Sequence, residues 1–217
     1  MKVTICAAMT VDGKISTAAG DSAVSSQQDL KRLHRLRAGS DAVMVGIATV
    51  LADDPRLTVR LVKGKNPARI IVDSKGRTPA DSHLLRTADR IRTIVAVAEQ
   101  APAENVERIR KAGAEVIIAG KTAVDVKLLF SKLKEMKFKR VLVEGGGELN
   151  WSVLCAGLVD ELTVTVAPKI AGGRLATTLV EGDGFDRMAD GLKLTLSKAE
   201  RKKTGELVLW YRIRTAF

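Results

Sequence analysis

Three consecutive glycines, Gly145 to Gly147, follow a short apolar segment and precede a pattern typical of a helix. Without β-carbons, the backbone N–H groups of such a turn can approach an anion closely, and the start of the helix attracts the same charge. This arrangement suits the phosphates of a cofactor. A tight turn between strand and helix needs only one glycine, so it remains a simpler explanation. The run matches neither of the glycine motifs GxGxxG and GxxxxGK[ST].

Cationic side chains at two other places also suit a phosphate group. Arg37 follows Leu33 by one helical turn, which places its guanidinium on or beside the apolar face of a predicted helix. A cation there can pair with a ligand phosphate, pair with an internal carboxylate, or reach water on its long stem. Segment 46–60 adds two hydroxyls, two carboxylates and two arginines after a buried strand. Loops in that position bind ligands in open α/β sheets.

A further basic cluster, 73–77, follows the next predicted strand. Its hydroxyl and cations could hold the adenosine 2′-phosphate that distinguishes NADPH from NADH, although a generic basic turn explains it equally well. His34 and His83 have no partner histidine, and no HExxH, paired CxxC or GxSxG motif occurs. We interpret both histidines as structural, and no metal site is predicted.

Composition predicts a cytoplasmic protein and counts against an RNA-binding or membrane protein. The 217 residues carry a net charge of +11, but the basic residues are spread along the chain and the densest run, 132–140, lies mostly on the solvent side of a predicted helix. Aromatic residues make up only 3%, which leaves few platforms for stacking bases. Charged residues follow the first apolar segment too soon for a signal peptide or membrane span. Cys6 and Cys155 are predicted to be buried free thiols in a reducing compartment.

The elements that must position these residues alternate between strands and helices. Short apolar runs predict buried strands at 3–9, 42–45, 69–72, 93–97, 116–118 and 140–143. Helical periodicity with capping signals predicts helices at 26–38 and 103–112, from about Asp125, and after the triple glycine as far as Gly157. The stretch 16–26 is predicted to form a binding loop or lid, and Pro55 is expected to push Asp54 into an extended conformation.

After residue 160 the sequence pattern changes to a period of two, in 162–166, 192–197 and 207–213. This period predicts strands with one face exposed, antiparallel and near a sheet edge. The expected fold is therefore α/β, a single domain over residues 1–217, with a mostly parallel central sheet covered by helices and an antiparallel C-terminal hairpin.

Taken in order, the motifs resemble those of the riboflavin-biosynthesis pyrimidine reductases. The resemblance rests on Met9-Thr10-Val11-Asp12-Gly13-Lys14, on segment 46–60, on Ile71-Val72-Asp73-Ser74 and on the run from Val143 through Glu161. It covers nearly the whole chain and is strongest toward the stand-alone archaeal members, particularly at 148–151 and 167–170. Bacterial relatives fuse this domain behind a zinc deaminase, and nothing in this chain resembles that module.

The resemblance implies a three-layer fold like that of dihydrofolate reductase, a homodimer, and NADPH as hydride donor, with NADH possible. The implied reaction reduces the ribosyl group of a phosphorylated pyrimidine ribosylamine to a ribityl group, by hydride transfer from nicotinamide C4 to C1′. The amino and the deaminated pyrimidine both stay open as substrates. Reduction of dihydrofolate or another pterin is the alternative within the same fold.

The resemblance also implies roles for individual residues. Cofactor contacts are expected from Thr49, Asp53, Ser74, Gly145, Gly146, Gly147, Glu148, Leu149 and Asn150, continuing to Ser152. Substrate contacts are expected from Ser22, Arg37, Leu57, Arg60 and Glu144. The two arginines are assigned to the 5′-phosphate, because a planar guanidinium matches phosphate oxygens. Asp53 is the candidate proton donor, with ordered water or the substrate's own phosphate as alternatives.

One departure from the family lies in the loop before the first helix. Relatives often carry an arginine or an aromatic residue where this chain has Ala23 and Val24. Any contact that those larger side chains make is missing here.

Overall fold

A computed structural model describes residues 1–213, which form nine strands and six α-helices. The strands are β1 (Lys2–Thr10), β2 (Ala42–Gly46), β3 (Ala68–Val72), β4 (Thr93–Val97), β5 (Glu115–Ile118), β6 (Arg140–Val143), β7 (Glu161–Ala167), β8 (Leu194–Arg201) and β9 (Leu207–Ile213). The helices are α1 (Gln27–Ala38), α2 (Ile47–Asp53), α3 (His83–Arg86), α4 (Ala103–Lys111), α5 (Val126–Glu135) and α6 (Gly147–Cys155), with a short 3₁₀ helix at Met188–Asp190. The strict alternation from β1 to β7 confirms the predicted α/β class.

Close contacts divide the chain into two compact units. The first unit contains Met1 and Leu33–Leu142, and the second contains Lys2–Arg32 and Val143–Phe217. The single domain expected from the sequence stays a prediction.

Parallel strands form the centre of the first unit. β2, β3, β4 and β5 lie side by side in that order, and each neighbouring pair is parallel. Val43, Met44, Ile94 and Ala96 are fully buried, as expected of strands covered on both faces. α4 and α5 contribute further buried side chains, namely Ile109, Leu129, Phe130 and Leu133. The continuous apolar runs of the sequence therefore predicted these strands correctly.

In the second unit, the strands run in the order β1, β7, β9 and β8. β1 and β7 pair in parallel, whereas β9 pairs antiparallel with both β7 and β8. The antiparallel C-terminal hairpin is thus confirmed. β8 begins at Leu194, two residues later than predicted, and all of its residues except Glu200 are exposed.

The prediction that β7 has one exposed face is wrong. Thr163 and Thr165 are buried, because side chains from the beginning of α1 cover them. Arg32 donates hydrogen bonds of 2.9 Å to the hydroxyl of each threonine, and Thr165 donates one of 2.6 Å to Asp29 Oδ1. Arg32 also donates to the sulfur of Cys6 at 3.5 Å. The alternating polarity of β7 therefore reflects a buried polar network rather than solvent.

Two other local predictions are also wrong. Asp54 has φ 38° and ψ 58°, a left-handed rather than extended conformation, because it caps the end of α2 and its N–H donates to Val50 O at 3.1 Å. Cys155 is exposed, whereas Cys6 is buried as expected. Cys155 is the last residue of α6, and the buried face of that helix carries Val153 and Leu154.

No helix within residues 1–213 has the length and apolar character that crossing a bilayer requires.

Substitution of Thr165 by valine tests the buried network of the second unit. The change keeps the volume but removes the donor to Asp29 and an acceptor of Arg32. We expect the free energy of unfolding, measured by urea denaturation, to fall by about 1–3 kcal/mol. Thr195→Val on the exposed strand β8 is the matched control and should change it by less than about 0.5 kcal/mol. Equal losses in the two variants would show that the network contributes nothing specific.

Candidate functional site

The three glycines of the second unit meet different structural requirements. Gly145 has φ +100°, a conformation that favours glycine. A β-carbon on Gly147 would lie 2.6 Å from Glu181 Cγ and 2.8 Å from Thr178 O, so packing excludes a side chain there. Gly146 caps α6 with φ −71° and ψ −164°, which any residue can adopt. Turn geometry and packing thus account for Gly145 and Gly147 but not for Gly146.

The start of α6 fits a phosphate-bearing group. The first N–H groups of a helix have no acceptor within the helix, and Gly146 offers no side chain to cap them. Asn150 is buried and donates from Nδ2 to Leu179 O at 2.8 Å, while its Oδ1 has no hydrogen-bond partner within residues 1–213. A β-carbon on Gly145 would lie only 3.6 Å from Asn150 Nδ2. The N–H groups at the helix start and a buried acceptor beside a bare glycine suit a dinucleotide, whose phosphates accept and whose ribose hydroxyls donate.

The other predicted residues of the second unit lie on loops. Ser22 is exposed on the loop between β1 and α1, and its carbonyl accepts from Val24 N at 2.7 Å. Glu144 is half-buried directly after β6, and its charge contributes to the raised pKa of Cys6, for which burial is the main cause. The substrate contacts expected of both residues stay predictions.

A pocket of about 220 Å³ in the second unit is lined in part by Ala23 and Val24, where the chain departs from its relatives. The small side chains leave this space open. Lys14 and Lys169 line the same pocket, and Lys169 donates to Ala23 O at 3.2 Å. Sequence reasoning assigned neither lysine a role, although Lys14 and Lys169 both belong to motifs that carry the family resemblance.

In the first unit, the predicted cofactor residues follow neighbouring parallel strands. Thr49 and Asp53 lie one turn apart on α2, whose buried side carries Ile47 and Val50. Ser74 follows β3, which pairs in parallel with β2. Because parallel strands end at the same edge of a sheet, the loops that carry these residues lie at that edge.

The loop after β3 is held firmly. The carboxylate of Asp73, fully buried, accepts from Thr78 N at 2.7 Å and from Thr78 Oγ1 at 2.9 Å. Arg108 of α4 donates to Gly76 O at 2.7 Å and also to Thr78 O. Ser74 Oγ accepts from the N–H of Val124 at 3.0 Å. The exposed cations of this loop, Lys75 and Arg77, therefore extend from a rigid backbone.

The first unit brings Arg37 and Arg60 together around Thr58. Arg37 is only 7% exposed and donates from Nη1 to Thr58 O at 3.0 Å, while Arg60 donates from Nη1 to Thr58 Oγ1 at 2.5 Å. The pKa of Arg60 is lowered, first by burial and then by the charges of Arg37 and Arg56. We call Arg37, Arg56 and Arg60 the arginine cluster. Sequence reasoning missed Arg56 as a member, since only the folded loop brings it close to Arg60.

His34 holds the backbone of the arginine cluster. Its Nδ1 accepts from Arg60 N at 2.8 Å and from Leu61 N at 3.3 Å. Burial lowers the pKa of His34 to about 4, with further lowering by Arg37 and Arg60. The ring is therefore neutral near pH 7, as an accepting Nδ1 requires. Leu57, the remaining predicted substrate residue of this unit, is buried with φ +51° immediately before Thr58.

His83 pairs with the carboxylate of Asp54. Its Nδ1 lies 2.5 Å from Asp54 Oδ2, and its backbone N donates to Asp54 Oδ1 at 2.8 Å. Within residues 1–213, no three His, Cys, Asp or Glu side chains are grouped as a metal ion would need.

Comparison with known proteins identifies the family. A family model described as the RibD C-terminal domain matches residues 1–208. The chain belongs to this family. It is 51% identical over 200 residues to the 2,5-diamino-6-ribosylamino-4(3H)-pyrimidinone 5′-phosphate reductase of Methanothermobacter thermautotrophicus, covering 91% of each protein. The expected family of riboflavin-biosynthesis reductases, and with it the class of oxidoreductases, is therefore confirmed.

Solved structures confirm the fold of this RibD C-terminal domain. A pyrimidine reductase-like protein from Corynebacterium diphtheriae superposes with a TM-score of 0.84 at 21% identity, covering 98% of this chain and 92% of that one. A dihydrofolate reductase from Enterococcus faecalis complexed with NADP(H) superposes with a TM-score of 0.56 at 14% identity, covering 98% and 96%. The expected resemblance to dihydrofolate reductase is thus confirmed.

The lowered pKa of His34 predicts a pH dependence of stability in this family member. Above about pH 6.5 the His34 ring is neutral in both the folded and unfolded states, so it does not make stability depend on pH there. Between about pH 6.5 and 4 only the unfolded chain takes up the proton, so the folded state loses on the order of 2–3 kcal/mol as the pH falls. Urea denaturation between pH 7 and 5 measures the upper part of this slope.

His34→Gln keeps a hydrogen-bond acceptor for the backbone of Arg60 and should remove most of the dependence of the unfolding free energy on pH. His83→Gln, at a half-exposed histidine, is the matched control and should keep that pH dependence. A slope unchanged in His34→Gln would assign the pH dependence to other groups.

Proposed function

We propose that the chain reduces the ribosyl group of 2,5-diamino-6-ribosylamino-4(3H)-pyrimidinone 5′-phosphate to the ribityl group, as a step of riboflavin biosynthesis. The observation that carries this proposal is the arginine cluster, in which three cations lie around one loop and the pKa of Arg60 is lowered first by burial and then by the charges of Arg37 and Arg56. A phosphate ester bears up to two negative charges and matches planar guanidinium groups. The 51% identical relative named for this reaction supports the same substrate.

NADPH is the proposed cofactor, and it supplies a hydride from its nicotinamide ring when bound. The N–H groups at the start of α6 bind its diphosphate, and Asn150 Oδ1 accepts from one of its hydroxyl groups. Thr49, Asp53 and Ser74 are further proposed cofactor contacts. The firmly held loop 73–77 presents Lys75 and Arg77, two cations suited to a 2′-phosphate, which supports NADPH over NADH.

The remaining proposed roles divide between substrate orientation and proton supply. Arg37 and Arg60 bind the 5′-phosphate, with Ser22, Leu57 and Glu144 completing the substrate contacts. Fixing the phosphate holds the acceptor carbon in position, on which hydride transfer chiefly depends. Asp53 is the proposed proton donor, because it lies exposed at the end of α2, one turn beyond Thr49.

We also propose that the protein is a cytoplasmic homodimer. β8 lies at the end of the strand order of the second unit, and Leu194 and Leu196 on it are 40% and 52% exposed. An exposed edge strand with apolar side chains suits pairing with a second copy. The two free cysteines among the described residues fit a reducing compartment.

The reaction is tested by following NADPH absorbance with three substrates in parallel: the diaminopyrimidine ribosylamine phosphate, its deaminated counterpart and dihydrofolate. We expect consumption with the first and little with dihydrofolate. Consumption with dihydrofolate alone would overturn the proposal.

Arg60→Gln removes one phosphate-binding cation and keeps a side chain of similar length. We expect KM for the pyrimidine substrate to rise about 10- to 100-fold, because a charge-assisted hydrogen bond is lost, with KM for NADPH nearly unchanged. Lys63→Gln removes an exposed charge from the same loop and serves as the control. A similar rise in both variants would indicate general electrostatic attraction rather than a phosphate site.

Asp53→Asn tests the proton donor. If Asp53 supplies the proton, kcat should fall about 100-fold or more, and the limb of the pH–rate profile that reports this carboxyl should disappear. Asp81→Asn, at an exposed aspartate of the same unit, is the control. Turnover and a pH profile unchanged in Asp53→Asn would leave water or the substrate phosphate as the donor.

A further inference from the structure

The first unit contains a second pocket, beside the arginine cluster, to which the proposed reaction gives no role. It has a volume of about 160 Å³ and is lined by Arg56, Thr58, Arg69, His83, Thr87 and Ile91. Five of these six residues carry a cationic, imidazole or hydroxyl group, and none is acidic. This composition is typical of oxoanion sites.

Arg69 is the main source of positive charge in this pocket. It is 1% exposed, and its guanidinium donates only to uncharged oxygens, the hydroxyls of Thr87 and Thr93 and the carbonyls of Leu84, Thr87 and Ile91. Burial lowers the pKa of Arg69 to about 10, with no opposing contribution from a carboxylate. A buried cation without a counter-ion is costly, so a nearby anion would stabilise it.

The other lining groups add to this cationic character. Within residues 1–213, no carboxylate forms an ion pair with Arg56. Thr58 Oγ1 accepts from Arg60, which leaves its own proton available for donation. His83 is oriented by Asp54, the acidic group next to the pocket, whose Oδ2 lies 2.5 Å from His83 Nδ1. Arg56 and Arg69 thus bring two positive charges to the pocket. The nearby negative charge is the half-exposed carboxylate of Asp54, which lies behind the His83 ring.

The volume restricts the class of ligand. At about 30 Å³ for each water molecule, 160 Å³ holds roughly five waters. An ion of the size of phosphate fits within this volume.

We propose that this pocket binds a small oxoanion, an inorganic phosphate or the phosphate group of a small ester, at a site separate from the one that holds the substrate's 5′-phosphate. Arg56 and Thr58 belong to this pocket and also border the arginine cluster. An anion bound here partly neutralises Arg56 and so weakens the electrostatic repulsion between Arg56 and Arg60. Occupancy of the pocket is therefore linked to the affinity of the substrate site.

The two histidines of the chain allow the two sites to be observed separately. His83 lines the pocket, whereas His34 accepts from the backbone of Arg60. Proton NMR of the untagged protein, with ring signals assigned through His34→Gln and His83→Gln, follows both during titration with inorganic phosphate at constant pH and ionic strength. Sodium chloride at the same ionic strength is the blank.

We expect the His83 ring signals to shift saturably with phosphate but not with chloride. Shifts confined to His34 would mean that phosphate binds only at the arginine cluster, and shifts in neither would mean that it binds at neither site. Both results would overturn the proposal. A His83 shift in a protein without reductase activity would support this site and reject the proposed function, so the two failures are distinguishable.

Ribose 5-phosphate distinguishes the two sources of the anion. If it shifts His34 alone, and inorganic phosphate added afterwards shifts His83, the pocket takes the free ion. If it shifts His83 as well, the pocket accepts the ester.

Arg56→Gln should weaken the affinity reported by His83 about tenfold or more, because a charge-assisted contact is lost. Arg110→Gln removes an exposed charge from α4 in the same unit and should leave that affinity unchanged. Equal weakening in both variants would attribute the shifts to general surface charge and would overturn the proposal.

Discussion

Mutual repulsion among arginines is the constraint around which the loop after α2 is organised. Arg37 is buried, and the pKa of Arg60 is lowered first by burial and then by the charges of Arg37 and Arg56. The carbonyl and the hydroxyl of Thr58 accept hydrogen bonds from Arg37 and Arg60 and hold the two guanidiniums in place. His34 contributes in the same way, because as a neutral acceptor it fixes the backbone of Arg60 without adding charge. The loop thus keeps its cations in position before any anion arrives, and a phosphate meets a preorganised site.

The charge of the arginine cluster bears on the choice of substrate, whereas the fold does not. The dihydrofolate reductase of Enterococcus faecalis has the same fold at 14% identity, so the arrangement of strands and helices alone does not select a substrate. An arginine can bind a carboxylate as well as a phosphate. Three arginines around one loop, however, supply more positive charge than a single carboxylate needs, and a phosphate ester with up to two negative charges balances them better.

How well the sequence predicted the fold depended on whether the signal was local. β2, β3 and β4 are short apolar runs covered on both faces, and their limits were predicted to within a residue or so. The error at Thr163 and Thr165 has a tertiary cause, since residues far away in the sequence supply the polar partners that bury them. α3 was not predicted at all, because four residues are too few to show a helical period, although Ser82 caps it with a side-chain hydrogen bond. Periodicity reports whether a side chain meets a polar environment, but not whether that environment is water or protein.

The site shows the same limit in a different form. Residue types and motif order were enough to select Arg37 and Arg60, but the contribution of Arg56 is visible only once the loop is folded. The triple glycine, which the sequence presents as one motif, separates into distinct requirements: a positive φ at one position and close packing by Thr178 and Glu181 at another. Glycines needed for backbone reasons are not evidence of a ligand. The argument for a cofactor phosphate therefore rests on the N–H groups at the start of α6, which Gly146 leaves without a side-chain cap. It does not rest on the number of glycines before the helix.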